Sequence, residues 1–387
     1  MKVCISLLTT ALDQLGGLNI RAGMVLQGLA RAGIEVYAIQ TRTAYEHSRN
    51  FYASTSRLPI QPILVDIPLK NGRWFFVQLL SLWRIPIGKW VPKGTDILDL
   101  WDPMVNLPER RAYSVIFSHN HFTPYVWQHF YACGIRSLPM FLEIPYMESM
   151  LRRLDRGVDA YITQTRQQRE WLMARFDIPR DRVRAIPPGF DAGLITPLWR
   201  ARAARSSEHV IAYSGRLHRW KGLFELVGAF ARLAKEHNDW KLWLVGDGLG
   251  RDRLIELIRV KKLEDRVRFF GNRPQAEALQ IISQADIFAS PSYIESFSLS
   301  LLEAMALGLT PLTTRSDGSS ETIGDEDTGI FIPRKDTKAL YLALDRLIRD
   351  EDLRIRLGAK SREKAAQLTI DHMIQRTVNF YQSVLSS

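Results

Sequence analysis

The sequence predicts an α/β protein built from two parallel-sheet domains in tandem. Short, mostly apolar runs that are typical of buried strands alternate with longer segments of helical periodicity. A stretch rich in proline, glycine and basic residues, 187–209, interrupts this alternation and is typical of an interdomain linker. With 387 residues, 46% hydrophobic and 24% charged, the chain has the length and composition of a soluble protein with two separate cores.

The first series of elements begins at the N-terminus. KVCISLL is a predicted strand, LNIRAGMVLQGLARAG a predicted helix and IEVYAIQ a second strand, which is the alternation of a parallel sheet covered by helices. The runs SVIFSH, AYITQ and VRAIPPG continue the series. We expect this first domain to occupy residues 1–190.

The second series follows the linker directly. Its predicted strands are VIAYSGR, WKLWLVGDG, VRFFG, ADIFASPS and LTPLTTR, and the predicted helices cover 222–236, 250–262, 275–284 and 298–307. We expect a second domain over 191–367. The last helix, 368–387, is predicted to cross back to the first domain.

Several classes of protein are excluded by composition. Two cysteines, Cys4 and Cys133, cannot form a disulfide framework and are expected to be reduced core thiols. The opening MKVCISLLTT is too short and weakly charged for a signal peptide, and no run approaches the roughly 20 apolar residues of a membrane-spanning helix. These features predict a cytoplasmic protein.

The net charge of +11 is unevenly distributed along the chain. Residues 1–190 hold 23 Lys and Arg against 15 Asp and Glu, whereas residues 191–387 hold 29 against 26. The first half is therefore expected to meet an anionic partner. Because the sequence shows no helix-turn-helix, zinc-finger or RNP-like pattern, we expect no nucleic acid partner.

Four loops follow predicted strands, where open parallel sheets bind ligands and helix N-termini present free N–H groups. In the first, LDQLGGLNI, Gly16 and Gly17 let the backbone approach a phosphate or sugar closely, although such pairs are also common in ordinary turns. In the second, YSGRLHRWKG, the planar fork of Arg216 and the flexible ammonium of Lys221 suit a diphosphate. Two solvated basic residues are the alternative interpretation.

The third and fourth loops differ in what they indicate. LVGDGLG is similar to a dinucleotide-binding fingerprint, but Arg251 replaces its last glycine, so we interpret it as a strand-to-helix turn. The fourth loop holds Glu295 and precedes a helix predicted to begin near Ser298, a suitable N-cap. Glu303 lies one to two turns into that helix. Because charged groups are seldom buried without partners, two carboxylates in this apolar segment indicate a polar pocket.

Together, these motifs resemble the donor domain of retaining glycosyltransferases of the GT-B fold, glycosyltransferase family 4 (glycosyl transferases group 1) in particular. The resemblance rests on SGRLHRWKG, LWLVGDG and the eight-residue spacing of Glu295 and Glu303. It extends over nearly the whole chain, because LGGLNI, VIFSHNH, AIPPGFD and DGSSETIGDEDTGIFIP resemble further segments of that family in the same order. It implies two Rossmann-like parallel-sheet domains that face a central cleft.

The resemblance also implies roles for individual residues. Glu303 would accept hydrogen bonds from ribose hydroxyls, and Glu295 would hold hydroxyls of the donor sugar. Arg216 and Lys221 would neutralise the departing pyrophosphate, and His119, rather than its neighbour His121, would lie beside the reacting face of the sugar. The implied catalytic residues are His119, Glu295, Arg216 and Lys221. The implied donor-binding residues are Gly16, Gly17, Arg216, Lys221, Glu295, Phe297, Ser298, Leu299 and Glu303.

Two features depart from the family pattern or complicate it. Ser296 and Ser298 flank Phe297 where the family often has glycines, which predicts an altered donor preference. The triplet DED at 325–327 is similar to a metal-binding DxD motif, but we interpret it as a solvated acidic turn. We therefore expect no essential metal and no cofactor other than the nucleotide diphosphate sugar, which is a substrate.

The activity that the resemblance implies is a metal-independent hexosyl transfer. A sugar would move from a nucleotide diphosphate sugar to the hydroxyl of a glycan or lipid-linked acceptor, with retention and an α-linkage, in cell-surface polysaccharide or glycolipid synthesis. A non-catalytic sugar-nucleotide-binding protein and a same-fold epimerase stay open as alternatives. Paired carboxylates also occur in glycoside hydrolases, but that chemistry does not require Arg216 and Lys221. The sequence leaves the base, the sugar, the acceptor and the oligomeric state open.

The segment 70–94 combines three tryptophans, two phenylalanines and five basic residues with no acid. A helix over 73–85 would place Trp74 and Trp83 on an apolar face, and Arg73 and Arg84 on the other side. Such a helix suits the headgroup boundary of an anionic membrane, which predicts peripheral attachment to the cytoplasmic face. A helix that packs on the first domain is the alternative.

Overall fold

The computed structural model describes residues 1–7, 17–65, 90–101, 113–118, 152, 157–202 and 208–387. For residues 17–19, 113–118 and 317 it describes the backbone alone. Contacts divide the chain into two compact units, the first formed by Met1–Pro187 with Asp371–Ser387 and the second by Pro188–Ile370. The division after Pro187 lies three residues before the boundary expected from the sequence.

The first unit contains a seven-stranded parallel sheet in the order β3-β2-β1-β4-β5-β6-β7. Runs of apolar residues form its central strands because both faces of such a sheet are covered. In β1, for example, Val3 and Cys4 are fully buried and pair with Val36 and Tyr37 of β2. The strands are β1 (Lys2–Ser6), β2 (Glu35–Thr41), β3 (Ile60–Val65), β4 (Thr95–Leu100), β5 (Tyr113–Ser118), β6 (Ala160–Thr163) and β7 (Val183–Ala185).

The helices described in the first unit include the last helix of the chain. They are α1 (Gly17–Arg31), α2 (Arg42–Glu46), α3 (Arg49–Ser54), α4 (Arg166–Phe176) and, at the end of the chain, α13 (Ile370–Leu385). The buried phenol of Tyr381 in α13 donates to Asp99 Oδ2 of β4 at 2.6 Å. In α1, Gly28 lies so close to Ile374 of α13 that a methyl group would overlap it. The last helix is therefore part of the first unit.

The second unit contains a six-stranded parallel sheet in the order β10-β9-β8-β11-β12-β13. This order places β8 beside β11, with the chain running to one side of β8 first and to the other side afterwards, as in doubly wound nucleotide-binding folds. The strands are β8 (His209–Ser214), β9 (Trp240–Val245), β10 (Val267–Gly271), β11 (Ile287–Ser290), β12 (Thr310–Thr314) and β13 (Ile330–Ile332).

Helices cover both faces of the second sheet, and successive residues of each strand pack into different cores. In β8, Ile211 and Tyr213 join one buried cluster, whereas Val210 and Ala212 join the other. This alternation follows from the two-residue repeat of a strand. The helices are α5 (Ala192–Ala201), α6 (Leu223–Glu236), α7 (Arg251–Val260), α8 (Gln275–Ile282), α9 (Leu299–Ala306), α10 (Asp317–Ile323), α11 (Thr337–Arg349) and α12 (Glu351–Ala365).

The prediction that 187–209 is a linker is wrong for 192–201, because α5 occupies those residues. The Asp191 side chain caps the helix by accepting from the N–H groups of Gly193 and Leu194. Ile195 is buried in the core of the second unit, which stabilises the helix despite Pro197 in its interior. The N-cap residue and the apolar face are present in the sequence, but the proline and the basic residues are more typical of a linker and led to the wrong prediction.

Two predictions from the sequence fall wholly or mostly outside the described residues. Of the aromatic and basic segment 70–94, the structure describes 90–94 alone, so the proposed membrane helix is not described. Cys133 also lies outside them, whereas Cys4 is a buried free thiol of β1. Within the described ranges, each helix falls short of the length or the apolar character that crossing a membrane requires.

Candidate functional site

The candidate site lies where the strand order of the second unit reverses. The neighbouring strands β8 and β11 end at Ser214 and Ser290, and the loops 215–222 and 291–298 leave from the same edge of the sheet. Ligands of open parallel sheets bind in the crevice that such loops form. The predicted residues Arg216, Lys221 and Glu295 all stand on these two loops.

The loop 215–222 is held rigidly by its own backbone and by the neighbouring turn. The buried phenol of Tyr213 donates to the carbonyl oxygen of Arg216 at 3.0 Å, and the N–H of Leu217 donates to the carbonyl of Asp247 at 2.9 Å. A short 3-10 turn, Arg219–Lys221, then ends at Gly222. The loop therefore delivers Lys221 immediately before α6 begins.

Gly222 lets the two loops approach each other. Its φ of +67° is left-handed, and a methyl group there would overlap the carbonyl oxygen of Pro291. The N–H of Tyr293 donates to the carbonyl of Trp220 at 2.7 Å, which ties the loops together two residues before the glycine. Close approach of these backbones is thus a direct consequence of the glycine in the sequence.

Lys221 and Glu295 form an ion pair between the two loops. The ammonium of Lys221 donates to Glu295 Oε1, and the hydroxyl of Ser292 donates to the same oxygen at 2.9 Å. The two charged side chains are 17% and 13% exposed, so water screens their attraction less than at an open surface. A cation and a carboxylate of this kind can bind the two ends of one ligand that carries phosphate and hydroxyl groups.

Glu303 is the fifth of the eight residues of α9, whose N-cap is Ser298. The Ser298 hydroxyl accepts from the N–H of Leu301, as the sequence predicts. Glu303 is only 8% exposed, and Gln275 Nε2 at the start of α8 donates to its Oε1 at 2.5 Å. Burial raises the pKa of the Glu303 carboxyl to about 7, against which the hydrogen bond from Gln275 acts.

Neighbouring residues position the segment between the two glutamates. The N–H of Gly318 donates to the carbonyl of Glu295 at 3.3 Å, and a methyl group on Gly318 would stand 2.6 Å from the Cα of Phe297. Phe297 and Leu299, both expected to bind the donor, are half-buried and pack against the second core cluster. The serines around Phe297 thus stand on a backbone that helix α10 supports.

His218 is a site residue that sequence reasoning missed. Its Nδ1 accepts from the N–H of Arg219 at 3.1 Å, which leaves the proton of the neutral ring on Nε2, and the ring stacks on Trp220. Partial burial lowers the pKa of His218, and the charges of Arg216 and Lys221 lower it further. Gln275 and Ser292 were missed as well, because nothing in a single sequence pairs them with glutamates 28 and three residues away.

The remaining sequence predictions concern Arg216, the glycine pair, the two histidines and the acidic triplet. Arg216 is exposed, and Gly17 is the first residue of α1 in the first unit. Gly16, His119 and His121 lie outside the described residues. In the acidic triplet, Glu326 pairs with Arg315 at 3.5 Å and Asp327 pairs with Lys360 at 3.0 Å. All three acids of the triplet are exposed.

Two models of protein families match the chain. The one described as Glycosyltransferase Family 4 matches residues 15–194, and the one described as Glycosyl transferases group 1 matches residues 197–364. The two matches together cover most of the chain, and the gap between them, 195–196, lies close to the division between the two units after Pro187.

Curated proteins that are similar to this chain carry the name of a glycosyltransferase. A D-inositol 3-phosphate glycosyltransferase of Corynebacterium aurimucosum is 29% identical over 244 residues, which are 59% of this chain and 58% of that protein. The protein of the same name from Nocardia farcinica is 31% identical over 240 residues, covering 59% of this chain and 53% of the relative. The chain thus spans little more than half the length of these relatives.

Solved structures match the chain along its whole length. A sucrose-phosphate synthase from Thermosynechococcus elongatus has a TM-score of 0.75 at 21% identity and covers 100% of this chain and 99% of its own. The Anabaena protein HepE, solved with UDP and glucose, has a TM-score of 0.70 at 15% identity, with coverage of 99% and 100%. At these identities the similarity shows the fold. The predicted fold class is confirmed, and the chain belongs to the glycosyltransferase family 4-like proteins of the GT-B fold.

Proposed function

We propose that the chain is a retaining, metal-independent hexosyltransferase that moves a sugar from a nucleotide diphosphate sugar to an acceptor hydroxyl and forms an α-linkage. The observation that carries the proposal is the Lys221–Glu295 ion pair at the switch point of the second sheet, with Glu303 eight residues further along the chain. It supplies one cation and one carboxylate on loops that two backbone contacts hold together.

Binding of the donor would exchange the partners of this ion pair. A diphosphate carries more negative charge than Glu295 and would attract the Lys221 ammonium, with Arg216 as the second cation. Glu295, released from the ammonium, would accept hydrogen bonds from hydroxyls of the donor sugar. The pair holds both side chains close to the positions in which they would bind the donor, but the attraction between them is lost when the donor replaces it.

Transfer breaks the bond between the anomeric carbon and the diphosphate oxygen and forms one between that carbon and the acceptor oxygen. Negative charge grows on the diphosphate as the first bond breaks, and Lys221 with Arg216 would stabilise that charge. The acceptor hydroxyl loses its proton to the departing phosphate oxygen on the same face of the sugar, which gives retention. His119, which lies outside the described residues, is proposed to stand beside that face.

Glu303 is proposed to recognise the nucleoside. A carboxylate accepts two hydroxyl hydrogen bonds better than a protonated carboxyl, and the ribose of a nucleotide offers two hydroxyls. With a pKa near 7, Glu303 exchanges its proton at physiological pH, and bound ribose would favour the ionised form. Nucleotide binding is therefore expected to release a fraction of a proton near pH 7.

The proposal for the acceptor and the cellular role comes from the relatives and from the segment 70–94. Relatives are named for transfer to an inositol phosphate, and one neighbouring structure was solved with UDP and glucose, which makes UDP-sugars the first donors to test. The aromatic and basic segment 70–94 supports a glycan or lipid-linked acceptor at the cytoplasmic face of a membrane. Cell-surface polysaccharide or glycolipid synthesis fits such an acceptor.

A donor screen tests the function directly. The protein is incubated with UDP-, GDP- and ADP-sugars, and the released nucleoside diphosphate is measured with wild type, Lys221→Ala and the control Lys235→Ala, an exposed lysine at the end of α6. We expect release from one donor class, lost in Lys221→Ala and kept in the control. Tight nucleotide binding without release from any donor, even with acceptor sugars added, would favour the non-catalytic alternative.

A further inference from the structure

A cavity of about 650 Å³ lies beside the turn that carries Lys221. Its walls come from the same turn, from the first residues of α6, from the residues before and within α7, and from Tyr293. Arg216, Lys221, Glu295 and Glu303 are not among the residues that line it. A cavity of this size accommodates a small ligand separate from the proposed donor.

Two arginines of the cavity wall form no ion pair within the described residues. Arg219 on the turn and Arg253 on α7 are exposed, and in the described part of the chain neither guanidinium forms an ion pair. Other arginines of α7 are paired: Arg251 with Asp247 at 3.7 Å and Arg259 with Glu256 at 3.1 Å. Arg219 and Arg253 therefore remain available to an anion, which their planar forks would bind through paired hydrogen bonds.

A half-satisfied carboxylate completes the wall. The phenol of Tyr293 donates to Glu225 Oε1 at 2.6 Å. Glu225 Oε2 is shielded from solvent, and within the described residues it has no hydrogen-bond partner. A buried acceptor left unpaired is costly, so a ligand hydroxyl that donates to Oε2 would be bound favourably. The lining of the cavity thus suits a ligand that carries both an anionic group and a hydrogen-bond donor.

His218 and Leu249 define the rest of the surface. His218 is neutral near pH 7 because burial and the nearby cations lower its pKa, and its Nε2–H is a further donor. Leu249 is 88% exposed and gives the rim one apolar face. The two arginines, the Nε2–H donor of His218 and the acceptor of Glu225 suit a small polar ligand that carries a dianionic group. A ligand with a single carboxylate would leave one of the two arginines without a counter-charge.

We propose that this cavity binds a small hydroxylated phosphomonoester of the sugar phosphate class, with its phosphate between Arg219 and Arg253 and a hydroxyl donating to Glu225 Oε2. Arg219 and His218 stand two and three residues before Lys221, so an occupied cavity would order the turn that presents this lysine. If the proposed function holds, such a ligand raises the affinity for the donor nucleotide, and the nucleotide raises the affinity for it by the same factor.

Calorimetry with glucose 6-phosphate and glycerol 3-phosphate tests the site, with glucose and inorganic phosphate as partial ligands. Arg253→Gln is expected to weaken phosphomonoester binding about tenfold or more, whereas Arg259→Gln, on the same helix outside the cavity, leaves it unchanged. Glu225→Gln should reduce the preference for the sugar phosphate over inorganic phosphate, because it removes a negative charge and the open acceptor together. Melting temperatures of the three variants report whether each one folds.

Lys221→Ala separates this site from the proposed donor site. It should weaken the binding of UDP about tenfold or more and leave the binding of glucose 6-phosphate within about twofold. The proposal is overturned if neither phosphomonoester binds to wild type at millimolar concentration. It is equally overturned if Lys221→Ala or Arg259→Gln weakens their binding as much as Arg253→Gln does. If wild type binds no nucleotide, but Arg253→Gln weakens phosphomonoester binding and Arg259→Gln does not, the result contradicts the proposed function and leaves this proposal standing.

Discussion

Lys221 and Glu295, 74 residues apart in the sequence, form an ion pair that also holds the hydroxyl of Ser292. They lie seven and five residues beyond the carboxyl ends of β8 and β11, and these two strands are neighbours in the sheet. The pair shows that the cation and the carboxylate proposed to bind the donor are each other's partners. Replacing Lys221 and replacing Glu295 should therefore have different effects on the affinity for nucleotides.

The two partners are expected to respond differently to nucleotide and nucleotide sugar. Lys221→Ala should weaken the binding of both UDP and a UDP-sugar by about 1–3 kcal/mol, because a charge-assisted hydrogen bond to phosphate is lost. Glu295→Gln should weaken only the UDP-sugar, and UDP should bind as well as before or better, since Lys221 loses its competing carboxylate. Calorimetry on both variants decides this, and equal losses for UDP and UDP-sugar in Glu295→Gln would contradict the assignment.

Glu303 should make the stability of the second unit depend on pH. Its pKa is raised from 4.5 to about 7 in the folded chain, so between those pH values the folded state holds a proton that the unfolded state has lost. The contribution of Glu303 to stability is therefore fully present below about pH 4.5. It is lost as pH rises to about 7, by about 1 kcal/mol for each pH unit. Glu303→Gln removes this dependence and should stabilise the chain at pH 8 relative to wild type.

Urea denaturation at pH 5 and pH 8 checks that expectation. The control is Glu256→Gln, an exposed residue of α7 that pairs with Arg259. The control should change stability little at either pH, as expected for a surface ion pair. If the difference between Glu303→Gln and wild type were the same at both pH values, the carboxyl would not be titrating as its burial requires.

Gly222 should tolerate substitution far less than a glycine with the same backbone angle. Gly271 has φ +69° against +67° at Gly222, but an added methyl group meets nothing within 4 Å there. Gly271→Ala should cost about 1 kcal/mol of stability, the penalty of a left-handed alanine. Gly222→Ala should cost at least about 2 kcal/mol more, because the methyl overlaps Pro291. Equal urea midpoints for the two variants would show that the loops do not need this close approach.

Transfer should proceed without a metal ion. With Lys221 and Arg216 serving the departing diphosphate, turnover is expected to persist in excess chelator. Replacing Asp325 and Asp327 together by alanine should leave the rate nearly unchanged, since these exposed acids cap their own turn and pair with Lys360. The rate of nucleoside diphosphate release measures both effects. Complete loss in chelator, restored by magnesium or manganese, would point to a metal site.

The segment 70–94 should bind anionic lipid if it lies at a membrane surface. Wild type is expected to sediment with anionic vesicles at low salt and to dissociate as salt rises, because each basic residue contributes roughly 1 kcal/mol. Changing Trp74, Trp83 and Arg84 together to alanine should abolish sedimentation. Wild type that stays in the supernatant at low salt would favour a helix that packs on the first unit.

The sequence predicted more of the fold than of the site. Alternation of buried runs and amphipathic segments is a local signal, so the strands and most helices of the second unit appear within a few residues of their predicted bounds. The roles expected of Glu295 and Glu303 came from the family resemblance. The contact of Glu303 with Gln275 depends on how α8 and α9 pack, and no local pattern predicts it or the hydrogen bond from Ser292 to Glu295. The raised pKa of Glu303 likewise follows from burial, which no local pattern reveals.

The division of the chain has a consequence for its covalent architecture. Because Met1–Pro187 and Asp371–Ser387 form one unit, Pro188–Ile370 is an insertion within it. The two ends of this insertion are stitched together, since the N–H of Phe190 donates to Leu368 and the N–H of Ile370 donates to Phe190. Adjacent ends make such a module separable by genetic excision and suited to circular permutation. The second unit should thus be obtainable as one continuous fragment, whereas the first requires its ends to be rejoined by a short linker across the excised module.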